Sequence, residues 1–219
     1  MNQNGNARRR ECGWRILIAG TGGQGVLTAA RLLTDFFVLK GASVTSGQLH
    51  GMAQRGGSVQ SSVMVDCGMS PVIPKGGADA VLGLEPVETA RALPLISFQT
   101  KVFMNTAPVI PFTLDQQAVR SESEVRYPDV SELAALVESV TSHVFALDAT
   151  RLALEAGSIK ALNVVMLGLW FGLDLCPFAP EDFLDTMLKG APVSSRGVNR
   201  KAFLSGVECS KRVASGPSK

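Results

Sequence analysis

Ile16, Leu17, Ile18 and Ala19 follow Arg15 as an unbroken apolar run, the pattern of a strand buried on both faces. The run empties into Gly20, Thr21, Gly22, Gly23, Gln24 and Gly25, where glycines permit a tight turn and close backbone approach. From Val26 to Lys40 the period changes. Val26, Ala29, Ala30, Leu33, Phe36 and Phe37 recur at spacings of three and four, which predicts an amphipathic helix. Strand, glycine turn and helix make half of a Rossmann unit, and the amides at the helix N-terminus form a ready anion site.

Further along, Ala42 to Ser46 predicts a second strand, entered through Gly41. Gly47 to Val59 (GQLHGMAQRGGSV) reads as a second glycine-rich loop, and Ser58 to Asp66 alternates as a strand with one polar face, an antiparallel hairpin attached to the sheet. Asp79 to Leu84 predicts a parallel strand ended by Glu85-Pro86, and Val87 to Leu93 a short helix. Lys101 to Asn105 predicts another buried strand, Phe112 to Tyr127 a polar surface excursion, Val130 to Val140 an amphipathic helix, and His143 to Asp148 the last core strand.

A helical pattern begins at Leu152 and is interrupted by Gly157 and Ser158. Ile159 to Leu173 is apolar nearly all round, so the helix it predicts is buried in the core or against another subunit. Asn163 is the single polar residue from Ala161 to Leu173 and requires a partner. Gly168 and Gly172 would permit close helix contact. Pro180 to Lys189 predicts a helix, Gly190 to Ser195 a loop, and Val198 to Ala214 a last helix carrying Asn199 near its start. The sum is an α/β fold: a Rossmann-like three-layer sandwich, its sheet mostly parallel with an antiparallel hairpin, and a helical C-terminal extension.

Composition narrows the classes. At 219 residues and a formal net charge of +2, with no basic run after the three arginines from Arg8 to Arg10, the chain gives no sign of a nucleic-acid partner. Its longest uncharged apolar stretch, Ala161 to Leu173, is shorter than the ~18 residues of a membrane span. Cys12, Cys67, Cys176 and Cys209 form no C-x-x-C pair, and only His50 and His143 could complete a metal set. This argues against an iron-sulfur cluster or structural zinc in the chain; the expectation is reduced thiols in a soluble cytoplasmic protein with no metal site. Residues 1–13 read as a disordered tail and 14–216 as a single α/β domain.

The candidate chemistry lies at the strand ends. In a dinucleotide-binding Rossmann unit an acidic residue ~20 positions past the glycines holds the ribose; here Thr45, Ser46 and Gly47 occupy that place, which speaks against NAD or FAD. The loop HGMAQRGG offers His50, which can donate, accept or titrate; Gln54; Arg55, whose planar fork suits carboxylate or phosphate; and the amides of Gly56 and Gly57. Arg55 could equally make a salt bridge, and His50 could simply hold the loop. Glu85 and Glu88 lie where open α/β sheets place ligands, or else cap the following helix, the role favoured for Glu88. Asn105 and Thr106 end the next strand and join the candidates.

The segments RILIAGTGGQGV, GQLHGMAQRGGSV, GADAVLGLEPVETAR, NVVMLG and VNRKAFLSG, in this order and spacing, resemble the small subunit of indolepyruvate ferredoxin oxidoreductase and, more broadly, the gamma-type domain of the 2-oxoacid:ferredoxin oxidoreductases. The likeness spans Arg15 to Gly206, and HGMAQRGG is more specific than the glycine turn. It implies a Rossmann-like domain in an enzyme that oxidatively decarboxylates a 2-oxoacid to an acyl-CoA while ferredoxin takes the electrons. Thiamine diphosphate, magnesium and iron-sulfur clusters then belong to a large catalytic partner subunit, through which ferredoxin is reached. The absence here of cluster cysteines, and of a G-D-G segment with its paired Asn, agrees with that division.

For this chain the resemblance implies no catalytic residue and no cofactor of its own. It implies an accessory role, in which Gly20 to Gly25 help bind the pyrophosphate of coenzyme A, while His50, Gln54, Arg55, Gly56, Gly57, Glu85 and Asn105 shape the crevice between subunits. A homodimer is compatible with it. Two other classes stay open: a stand-alone Rossmann-like nucleotide-binding or regulatory module, and a purely structural interaction subunit.

Overall fold

A computed structural model describes residues 13–50, 56–109 and 127–214. The tail up to Cys12 and most of the Phe112 to Tyr127 excursion lie outside them, as do Gln54 and Arg55. No helix among the described residues is long and apolar enough to cross a membrane.

Six strands form one sheet in the order β2-β3-β1-β4-β5-β6: β1 Trp14–Thr21, β2 Val44–His50, β3 Ser58–Val65, β4 Ala80–Gly83, β5 Lys101–Asn105 and β6 Val144–Leu147. β1, β4, β5 and β6 are parallel, whereas β3 runs antiparallel to both β1 and β2. Alternation along the strands divides the core. Ile16, Ile18, Leu82 and Phe103 face one helical layer, and Leu17, Val81 and Val102 face the other. The first layer contains α1 (Val26–Leu39), α5 (Leu162–Phe171), α6 (Pro180–Gly190) and α7 (Val193–Ala214); the second packs around α2 (Pro86–Arg91) and α3 (Val130–Glu138). The expected three-layer α/β architecture is what forms.

Helix α1 buries the six residues whose spacing predicted it. β2, by contrast, runs on to His50, so Gly47 to Leu49 are strand and not loop. The reason is pairing: Gly47, Gln48, Leu49 and His50 each face a residue of β3 in register, and a Cβ on Gly47 would press on Pro71. α4 (Ala149–Ala156) starts before Leu152, because the Asp148 carboxylate accepts the Arg151 amide at 2.8 Å and caps it. Gly157, at φ 118°, then ends that helix in the left-handed region.

Helix α5 is buried at every position, and within this chain the residues that cover it include α7. Added Cβ atoms would overlap the Phe203 carbonyl at Gly168, Ser210 Oγ at Gly172, and the Val165 carbonyl at Gly206, so three glycines let the backbones touch. α7 begins five residues before the expected Val198, which places Asn199 in its second turn. Its first turns are mostly exposed and therefore carry no apolar period. Cys176 and Cys209 are free, but Cys67 is disulfide-bonded, against the expectation of reduced thiols throughout.

Candidate functional site

The hairpin decides where the site forms. Because β3 returns antiparallel beside β1, Ser58 pairs with Thr21 and Val59 with His50. The start of β3, with Gly56 and Gly57 before it, therefore lies at the carboxyl edge of the parallel strands, next to the turn that follows β1. The two glycine segments are joined there directly: the Gly22 amide donates to the Gly57 carbonyl at 2.9 Å, and the Gly56 amide to the Gly22 carbonyl at 3.4 Å. Thr21, Gly22, Gly56, Gly57, Glu85 and Asn105 share this edge, and the backbone of His50 ends β2 there.

Within the turn each residue has a distinct position. The Thr21 amide donates to Gln24 Oε1 at 2.8 Å, and Gln24 Nε2 donates to the Leu84 carbonyl at 2.9 Å. The Gln24 side chain thereby ties the turn to the end of β4 and is turned inward. Gly20 must lack a side chain, since a Cβ would sit 2.9 Å from Gln24 Oε1 and 3.0 Å from Leu84 Cβ. Gly23 faces outward at φ 107° with no described residue within 4 Å of its Cβ position. Gly25 precedes α1 at φ 83° and offers no side-chain cap, so the first-turn amides of Val26, Leu27 and Thr28 point toward the edge with no intrahelical partner. Such amides, with the positive end of the helix dipole, suit a phosphate.

Below this surface lies a buried polar layer. Asn105 is fully buried. Its Nδ2 donates to the Leu84 carbonyl at 2.9 Å and to Thr150 Oγ1 at 3.1 Å, and its Oδ1 accepts the Ala149 amide at 3.0 Å, so it joins β4, β5 and the start of α4. Glu85 is 2% exposed and is the cap of α2, accepting the Glu88 amide at 2.9 Å. That reverses the assignment favoured from sequence. An N-cap needs an extended backbone, which Glu85 has just before Pro86 at the first helical position, whereas Glu88 already lies inside the helix.

Glu88, 4% exposed, instead accepts from Ser58 Oγ at 2.5 Å and pairs with Arg91 at 2.9 Å. Glu85 Oε1 also accepts the hydroxyl of Tyr127 and, at 3.5 Å, the Val109 amide. Burial, followed by that bond to Glu85, pushes the Tyr127 phenol above its ordinary range.

Several of these contacts left no trace in the sequence. Ser58 sits in an ordinary strand alternation, and Tyr127 lies 42 residues from Glu85. Asn163 was the exception, since a lone polar residue in an apolar helix signals a partner. It donates from Nδ2 to the Gly25 carbonyl at 3.1 Å.

The lack of a ribose-binding acid can now be read from the observed strand. β2, Val44 to His50, contains no Asp or Glu. It is also separated from β1 by β3, which sets it roughly 10 Å away across two strand spacings. Among the described residues no group of His, Cys, Asp or Glu gathers as a metal site needs. With Cys67 in a disulfide, the described thiols also do not fit an iron-sulfur cluster.

The family model for pyruvate ferredoxin/flavodoxin oxidoreductase matches residues 15–209. The chain belongs to this family. Its relatives include the indolepyruvate oxidoreductase subunit IorB of Archaeoglobus fulgidus, 34% identical over 191 residues, covering 87% of this chain and 92% of that protein. The same-named subunit of Pyrococcus horikoshii is 35% identical over 202 residues, covering 91% and 97%. Among solved structures, the gamma subunit of the keto/oxoacid ferredoxin oxidoreductase of Geobacter sulfurreducens PCA superposes with a TM-score of 0.63 at 20% identity, covering 91% of this chain and 99% of that one. The 2-oxoglutarate:ferredoxin oxidoreductase of Magnetococcus marinus gives 0.65 at 15% identity, covering 93% of this chain and 32% of that chain. These structures share the fold. In this member of the pyruvate ferredoxin/flavodoxin oxidoreductase family, the fold puts the Gly20 to Gly25 turn beside Gly56 and Gly57 at one edge of the sheet.

Proposed function

We propose that this chain is the small, non-catalytic subunit of a cytoplasmic 2-oxoacid:ferredoxin oxidoreductase acting on indolepyruvate or a related arylpyruvate. In this reading the glycine edge faces a large subunit, and the turn Gly20 to Gly25 holds the pyrophosphate of coenzyme A. Support for the subunit role comes from the curated relatives, which are indolepyruvate oxidoreductase subunits matched over nearly their whole length. Support for the ligand comes from one observation: two glycine segments are hydrogen-bonded into a single edge, beside the uncapped start of α1. Arg55, immediately before Gly56 and outside the described residues, would pair with a phosphate through its fork.

Thiamine diphosphate and iron-sulfur centres held by the large subunit would supply decarboxylation and electron transfer. This chain's part is to hold and orient the phosphate end of coenzyme A and to close the crevice against water.

Steady-state kinetics of the complex reconstituted with its large subunit provide the test. Arg55→Ala should raise the KM for coenzyme A at least about tenfold, the range of a lost charge-assisted bond, with kcat changed less than about twofold. An unchanged KM would remove Arg55 from the ligand. A chain that turns over substrate alone, or copurifies with a flavin or nicotinamide, would overturn the subunit reading.

A further inference from the structure

Asn163 lies at the start of α5, 2% exposed and the single polar residue in a helix that is otherwise apolar and wholly buried. Its carboxamide is used at both ends. Nδ2 donates to the Gly25 carbonyl at 3.1 Å, across 138 residues of sequence, and Oδ1 accepts the Val164 amide at 3.0 Å. The two bonds fix which way the amide points. The contact is also tight, since a Cβ on Gly25 would stand 2.8 Å from Nδ2 and 3.0 Å from Cγ. Gly25 has no side chain, sits at φ 83°, and precedes the first open amides of α1. Its carbonyl accepts the Ala29 amide at 2.9 Å as well, so the same oxygen begins the α1 ladder and receives Asn163.

We infer that Asn163 is a positioning residue for the ligand edge: through one hydrogen bond to Gly25, the buried C-terminal helix α5 sets the backbone of the glycine turn and the aim of the α1 amides. The C-terminal helices then do more than cover the sheet. A peptide plane at positive φ has several accessible orientations when its residue is glycine. The Asn163 donor selects one, so that binding does not have to order the turn. This rests on the reading that the turn receives coenzyme A, but its structural part can be tested separately.

Two substitutions separate turn positioning from the start of α5. Asn163→Leu fills a similar space and removes both polar ends. Asn163→Asp keeps the acceptor for Val164, but offers a donor to Gly25 only while its carboxyl is protonated, which burial favours. The readouts are peptide-level hydrogen exchange across residues 20–28 and, in the reconstituted complex, KM for coenzyme A against kcat.

With Asn163→Leu, exchange at residues 20–28 should accelerate about five- to tenfold while the sheet strands keep their protection, and KM for coenzyme A should rise by a similar factor with kcat nearly constant. Asn163→Asp should match the wild type in acid and Asn163→Leu in mild alkali. Unchanged exchange at the turn in both variants, or acceleration spread evenly over the whole chain, would overturn the inference. Local acceleration with an unchanged KM would support Asn163 as the turn's support and instead count against coenzyme A as its ligand.

Discussion

Gly22 donates its amide to the Gly57 carbonyl at 2.9 Å and accepts from Gly56 at 3.4 Å, so two segments more than thirty residues apart are closed onto each other by their backbones. Both bonds run from backbone to backbone. The closure depends on backbone angles, and Gly56 holds φ 70°, where an L side chain is strained.

Gly56→Ala should therefore destabilise the fold by about 1–2 kcal/mol, a cost arising from the backbone because no described residue stands within 4 Å of the added Cβ. Gly190→Ala serves as a control. It is equally open, ends α6, and has no positive φ, so it should be neutral or stabilise by up to about 1 kcal/mol. Thermal melts of the two variants test the pair, and equal shifts would dissociate the closure from the Gly56 conformation.

Tyr127 is the chain's single tyrosine, so its ionisation can be followed by ultraviolet absorbance without interference from other phenols. Burial and the bond to Glu85 favour its neutral form, and its titration should lie above the ordinary value near 10. The folded-state pKa exceeds the unfolded one. The stability this contributes is therefore fully present below about pH 10 and is lost as pH rises toward the folded value. In Glu85→Gln the titration should move back toward its ordinary position. A phenol titrating normally in the native protein would show that the bond does not persist in solution.

Much of this architecture was legible because the apolar periods are clean. The run at Ile16 and the three-and-four spacing from Val26 gave β1 and α1 at once, and β5 ends where its pattern ends. Other features were hidden for physical reasons. The β2 boundary depends on pairing with β3, a partner that the local residues Gly47, Gln48 and Leu49 do not announce. Glu85 and Glu88 are alike in type and three apart, so the choice of cap turned on backbone angles. The role of Gln24 was obscured because a polar residue in a glycine turn suggests a ligand contact, whereas its amide folds back on Thr21 and Leu84.

The Leu84 carbonyl accepts two side-chain amides, from Gln24 at 2.9 Å and from Asn105 at 2.9 Å, and so links the turn after β1 to the ends of β4 and β5. Removing either donor leaves the oxygen with the other, while removing both leaves a buried acceptor with neither. Gln24→Met should cost about 1–2 kcal/mol, chiefly from the Thr21 amide that loses its acceptor. Asn105→Leu should cost more, roughly 2–4 kcal/mol, because the buried Ala149 amide loses its acceptor and the Thr150 hydroxyl its donor. The double variant should exceed the sum of the two by about 1 kcal/mol, the expected coupling of residues that share one acceptor. Denaturant unfolding of all four proteins measures this cycle. Strict additivity would mean that the two amides stabilise separate parts of the edge and that the Leu84 carbonyl does not couple them.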